Sequence, residues 1–172
     1  MNEIIGTITN IALTLSFIVA LIFGVAQVKA AARDRRERLT LETLRNFQTR
    51  EFAELIYYIN SHNMPVDRKG MQALPDMEQV MYIQFAQQME SLGMLVAEKF
   101  ISIDLVDKTL GSFVTTSWQK YKKMFLDIRE KAPDPFLGEY FQWLAEQIDE
   151  RMKENPRKPF YESPIATLQA KS

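Results

Sequence analysis

The sequence predicts an all-α protein, in which a single N-terminal transmembrane helix continues into a cytosolic bundle of four or five helices. Three observations predict it. Residues Ile4–Val28 are 25 consecutive positions without a charge, and fourteen of them are Ile, Leu, Val or Phe. Beyond them, apolar residues recur at spacings of three and four, and no stretch alternates convincingly at period two. Between Gly24 and Pro65 there is neither Gly nor Pro, so nothing in the sequence stops a helix where it leaves the lipid.

The first element is the anchor. A hydrocarbon core of about 30 Å needs roughly 20 helical residues, so the uncharged run spans it with room for tilt. At roughly −0.3 to −0.6 kcal/mol per strongly apolar residue, insertion is favoured by about 4 to 8 kcal/mol before the cost of Asn10, Gln27 and the hydroxyls. Ser and Thr reduce that cost by bonding back to the preceding turn. A cleaved leader fits less well, because the first 28 residues contain no Lys or Arg and the run is too long for a signal core.

Orientation follows from the flanks. Only Glu3 precedes the run, whereas Lys29, Arg33, Arg35, Arg36 and Arg38 follow it, against Asp34 and Glu37. Positive residues stay on the cytoplasmic side. The N-terminus is therefore expected outside a bacterial inner membrane, with residues 39–172 in the cytoplasm. The same five basic residues are candidates for contact with anionic headgroups, although most such clusters act as topology signals alone.

Within the anchor, Ala12, Ser16, Ala20 and Gly24 recur every four positions and drift only about 40° per step. They form a shallow face on which a second helix can approach closely, with Asn10 and Thr14 beside it. Small residues are also simply common in membrane helices.

The cytosolic part follows. Leu41, Leu44, Phe47, Phe52, Leu55, Ile56 and Ile59 continue a helical stripe. One long helix, or two nearly collinear ones, is expected from about Ile4 to Asn60, with Thr40 as the expected site of a bend. Residues Ser61–Pro75 read as a loop. A helix is expected to start at Asp76 as N-cap, with Gln79 completing a capping box. It carries Met77, Val80, Met81, Phe85, Met89, Leu92, Leu95 and Val96, with Gly93 inside it. A link from Lys99 to Ser102 leads to Asp104, and a kink is expected near Gly111. Phe113, Val114, Trp118, Tyr121, Phe125 and Ile128 then form a helix to about Lys131, where Asp127 and Lys131 can pair. Pro133 and Pro135 break the chain. A last helix, from about Pro135 to Lys153, carries Phe136, Tyr140, Phe141, Leu144 and Ile148. The domains expected are thus 1–38 (anchor and basic flank), 39–153 (bundle) and 154–172 (extended or disordered tail).

Composition bounds the chemistry. The 172 residues include 21 Lys plus Arg, 22 Asp plus Glu, one His and no Cys. That excludes disulfides, thiol nucleophiles, Cys-ligated zinc and two-histidine metal sites. A net charge of −1 argues against nucleic acid as a partner. His62 falls at a helix end, where a cation is favoured by the carbonyl dipoles. Glu51, Glu54, Glu78, Glu90 and Asp104 belong to no recognisable metal loop, and read as helix-surface charge. The aromatics Trp118, Tyr121 and Phe125 alternate with Lys120, Lys122 and Lys123 at a spacing that turns the rings inward and the lysines to solvent. No catalytic residue, metal or cofactor is expected.

The run Glu90-Ser91-Leu92-Gly93-Met94-Leu95-Val96, then Ile103-Asp104 with Val106, Trp118 and Tyr140-Phe141-Gln142-Trp143-Leu144-Ala145, resembles a family of small uncharacterised bacterial proteins. Each has one membrane helix and a helical cytosolic domain. The resemblance covers about Ile4 to Lys153. It implies the architecture and supplies no activity. The expected function is non-enzymatic: an accessory or scaffolding subunit presenting an interaction domain to other membrane proteins or to copies of itself. The alternative is a membrane-anchored sensor or effector of a bacterial stress or defence system.

Overall fold

The computed structural model describes residues 2–131 and 134–162, with the side chains of 2, 3 and 8 excepted. Among the described residues the chain is all-helical: α1 (Asn2–Asn46), α2 (Arg50–Ser61), α3 (Arg68–Gln72), α4 (Asp76–Ala97), α5 (Ile103–Lys131) and α6 (Glu139–Glu154). A 3₁₀ turn, Phe160–Glu162, follows. Of the expected tail, residues 163–172 lie outside the described residues, as does Pro133.

α1 is a single helix of 45 residues, about 67 Å long, so the expectation of a bend at Thr40 is corrected. Thr40 is fully buried inside the helix. Its hydroxyl donates to the Arg36 carbonyl at 2.8 Å and accepts the Ser102 N–H at 3.1 Å. The chain breaks instead at residues 47–49, where Thr49 caps α2 by accepting the Phe52 N–H at 3.2 Å. Phe47 then meets Phe52 edge-to-face across the break.

Three further expectations are revised. The 61–75 loop contains the short α3, because the Asp67 carboxylate accepts the Gly70 N–H at 2.7 Å. α4 starts at Asp76, but its N-cap is Pro75, and Gln79 donates to the Leu74 carbonyl at 2.8 Å instead of closing a capping box. α5 runs straight through Gly111; a Cβ there would lie 2.7 Å from the Asp107 carboxylate one turn earlier and in ordinary contact, at 3.4 Å, with Ile148 of α6.

The core is built mainly on α4, α5 and α6. Phe85, Trp118, Tyr121, Phe125 and Phe141 form one buried aromatic cluster, with Trp118 and Phe141 ring centroids 5.3 Å apart and Phe85 stacked on Tyr121 at 5.8 Å. Edge-to-face and offset rings add to the burial of this large apolar area. α2 adds Phe52, Leu55 and Ile59, and the last turns of α1 add Leu44. The inward rings of Trp118, Tyr121 and Phe125 match the spacing in the sequence. Lys122 and Lys123 are exposed, but Lys120 is not merely solvated: its Nζ donates to the carbonyls of Ile59 and Asn60, the free C-terminal end of α2.

α4 and α6 meet most closely at Gly93. A Cβ at Gly93 would lie 2.2 Å from the Tyr140 carbonyl oxygen, so no side chain fits there. One turn earlier on α4, the Glu90 carboxylate accepts the N–H groups of Tyr140 and Phe141 at 3.2 and 2.9 Å. The α6 N-cap, Gly138, has φ 68° and no side chain to cap with. Glu90 thus supplies from a neighbouring helix the cap that α6 lacks locally.

Candidate functional site

Two features outside the core stand out, the bare part of α1 and a groove at the opposite end of the bundle. α1 is long and apolar enough to cross a membrane. Along it Ile4, Phe17 and Phe23 are 66%, 69% and 63% exposed. Thr9 and Thr14 bond back to the carbonyls of Ile5 and Asn10 at 2.9 and 2.8 Å, which satisfies their hydroxyls without water. Ala12, Ser16, Ala20 and Gly24 lie on this exposed segment, and a Cβ at Gly24 would meet nothing within 4 Å. Lys29, Arg33, Arg35, Arg36 and Arg38 are exposed on the next turns, with Arg33 paired to Glu37 at 2.9 Å.

Because α1 is continuous, this basic collar is joined directly to the bundle. Leu44 enters the core, and Thr40 binds the α4–α5 corner. The corner itself is closed by Phe100 and Ile101, whose N–H groups donate to the Leu95 carbonyl at 3.0 and 3.2 Å.

The groove, of about 380 Å³, lies between α3, α4, α5 and the turn before α6. Its floor is apolar, with Met71, Ala86, Met124 and Ile128, and Arg68 and Glu90 stand at its margin. Tyr121 borders it with its hydroxyl turned inward, donating to the Tyr82 carbonyl at 2.8 Å. Burial pushes the Tyr121 phenol well above its ordinary value.

The titratable residues singled out in the sequence are dispersed. His62 is the C-cap of α2, stacked on Tyr58 at 4.1 Å with Nδ1 3.0 Å from the Tyr58 carbonyl oxygen, as expected of a helix-end residue. Glu54 pairs with Arg50, Asp104 with Arg151, and Glu78 accepts from the Tyr58 hydroxyl. Desolvation, and next the bond to Glu78, raise the Tyr58 phenol. Glu51 stays on the surface. Among the described residues, no three His, Asp or Glu side chains converge as a metal site would require. Two roles were not anticipated: Glu90 caps α6, and Thr40 ties α1 to the corner. For Glu90 the signal was present, as an acid one helical turn before a glycine inside an apolar helix.

A family model covers residues 14–148, from within the apolar stretch to the last turns of α6. The chain belongs to the DUF4760 family. The family's description is "domain of unknown function", so the match supplies the fold unit and no chemistry. Its span joins the second half of the apolar segment to the bundle as one unit. No curated protein and no solved structure matches the chain.

Proposed function

We propose that this DUF4760 chain is a single-pass protein of a bacterial inner membrane that presents its helical bundle to the cytoplasm as a docking domain, in the role of an accessory or scaffolding subunit. The observation that carries the reading is the division of α1. Its first half exposes large apolar side chains on every side, whereas its last turns bury Thr40 and Leu44 against the bundle. An exposed apolar surface of that extent is stable in lipid and not in water. The collar from Lys29 to Arg38 supports a cytoplasmic bundle, because positive flanks favour that side. The face carrying Ala12, Ser16, Ala20 and Gly24 is where a second membrane helix, from another copy or a larger complex, packs.

Purification in mild detergent followed by mass measurement tests this. A dimer or a stable co-purifying membrane protein is expected, and Ala20→Ile with Gly24→Ile disrupts it. A lone monomer, or an association indifferent to both substitutions, would overturn it.

A second reading, a membrane-anchored sensor or effector of a stress or defence system, draws on the groove. An apolar floor with a cation and an anion at its rim suits a small amphipathic ligand. Native mass spectrometry of the full chain reads this directly. A bound small molecule that is lost when Ala86→Trp fills the groove would favour it over the scaffold.

A further inference from the structure

The end of the bundle nearest the anchor differs in charge from the rest. The collar at 29–38, the α4–α5 corner at 98–108 and the segment 151–162 together hold eleven basic and seven acidic residues. The remaining chain holds ten basic and fifteen acidic ones.

These three stretches are brought together by specific contacts. Thr40, one turn beyond Arg36, binds Ser102 of the corner. Arg151 of α6 pairs with Asp104, and Arg157 lies 3.7 Å from Asp107, which folds the chain after α6 back onto the start of α5. Exposed aromatics stand among the basic residues. Phe100 is 54% exposed while its neighbour Ile101 is buried, and Phe160 and Tyr161 are 66% and 77% exposed. The corner also holds Lys99 at φ 61°, a left-handed conformation that glycine adopts more easily. Lys there is strained relative to glycine and keeps a cation beside Phe100.

Exposed rings interleaved with lysine and arginine match a membrane–water interface, where ring bodies sit among headgroups and cations meet anionic lipid. We propose that this base of the bundle, through Lys99 and Phe100 of the corner and Lys158, Phe160 and Tyr161 after α6, is a second, peripheral contact with the anionic leaflet from which α1 emerges. The inference rests on α1 being a membrane span. Thr40 stands about 18 Å along the helix from Val28. The headgroup layer occupies about 5–7 Å of that distance. Helix tilt of the ordinary size and the long side chains of the base bridge the remainder. The contact then fixes the tilt of the bundle and turns the groove end away from the membrane.

The chain has no native cysteine, so single labelling sites are unambiguous. The full-length protein carries an environment-sensitive fluorophore at Phe100→Cys, Phe160→Cys, Tyr57→Cys or Phe17→Cys. It is reconstituted in nanodiscs of phosphatidylcholine alone or mixed with phosphatidylglycerol. Lipids spin-labelled on the headgroup serve as quenchers. Strong quenching at 100 and 160 is expected in phosphatidylglycerol. It falls severalfold in high salt, in pure phosphatidylcholine and with Lys158→Glu, while Tyr57→Cys on α2 stays unquenched. Labels at 100 and 160 no more quenched than the label at 57, or equally quenched with and without anionic lipid, would overturn the proposal. The label at 17, read with chain-labelled lipid, reports separately whether α1 is in the bilayer.

Discussion

The hydroxyl of Thr40 accepts the backbone N–H of Ser102 at 3.1 Å, and through this bond the long apolar helix α1 is fastened to the α4–α5 corner. The same hydroxyl donates to the Arg36 carbonyl, so one buried side chain serves both elements. Replacing Thr40 by Val keeps the shape and leaves the Ser102 N–H without its partner. A loss of about 1–3 kcal/mol is expected from a buried unpaired donor. Thr40→Ser restores most of it. Urea unfolding in detergent, followed by Trp fluorescence, compares the three proteins.

Glu90 and Gly93 act together at the first turn of α6. Glu90→Ala removes the acceptor for the Tyr140 and Phe141 N–H groups and costs about 0.5–2 kcal/mol, as loss of an N-cap does. Glu90→Gln, which retains an acceptor oxygen, costs less. Gly93→Ala forces α4 and α6 apart, because the obstacle is the Tyr140 backbone and not a flexible side chain. About 1–3 kcal/mol or more is expected. Amide hydrogen exchange localises the damage: faster exchange at 139–144 in the Glu90 variants, and along the whole α4–α6 contact in Gly93→Ala.

Alkaline pH should unfold the bundle through its phenols. Burial raises Tyr121 well above 10.0, and desolvation raises Tyr58 and Tyr82 as well. A folded-state value above the unfolded one means that the stability is intact below about pH 10 and falls as pH climbs toward the folded values, because the unfolded chain gives up the proton first. Across an alkaline titration, the part of the phenolate absorbance that Tyr121→Phe removes should therefore appear together with the loss of circular dichroism. Tyr121→Phe weakens the dependence and costs about 0.5–1.5 kcal/mol at neutral pH through the lost bond to Tyr82. Phenolate that Tyr121→Phe abolishes, appearing while the helices stay intact, would contradict the assignment.

The sequence was most legible where one face decides the outcome. The uncharged run from Ile4 to Val28, the inward rings of Trp118, Tyr121 and Phe125, and the helix end at His62 all follow from spacing or length. The misplaced features depend on partners remote in the chain. Thr40 looks like a helix start because Thr is a good N-cap, but its hydroxyl is engaged by Ser102, 62 positions away. Gly111 looks like a kink, but α5 stays helical through it, facing Ile148 of α6. Glu90 looks like surface charge until α6 arrives beside it. The groove cannot be read from spacing at all, since its walls come from α3, α4 and α5 and the turn before α6.

The most direct test is labelling of a Tyr57→Cys variant with a membrane-impermeant maleimide in intact spheroplasts and again after lysis, on membranes then stripped with alkaline carbonate. Tyr57 is 73% exposed on the bundle, so its reactivity reports only the side of the membrane. The expected result is a chain that stays with the stripped membranes and is labelled only after lysis. Labelling in intact spheroplasts, or release of the whole chain into the carbonate wash, would contradict an anchored helix with its bundle inside.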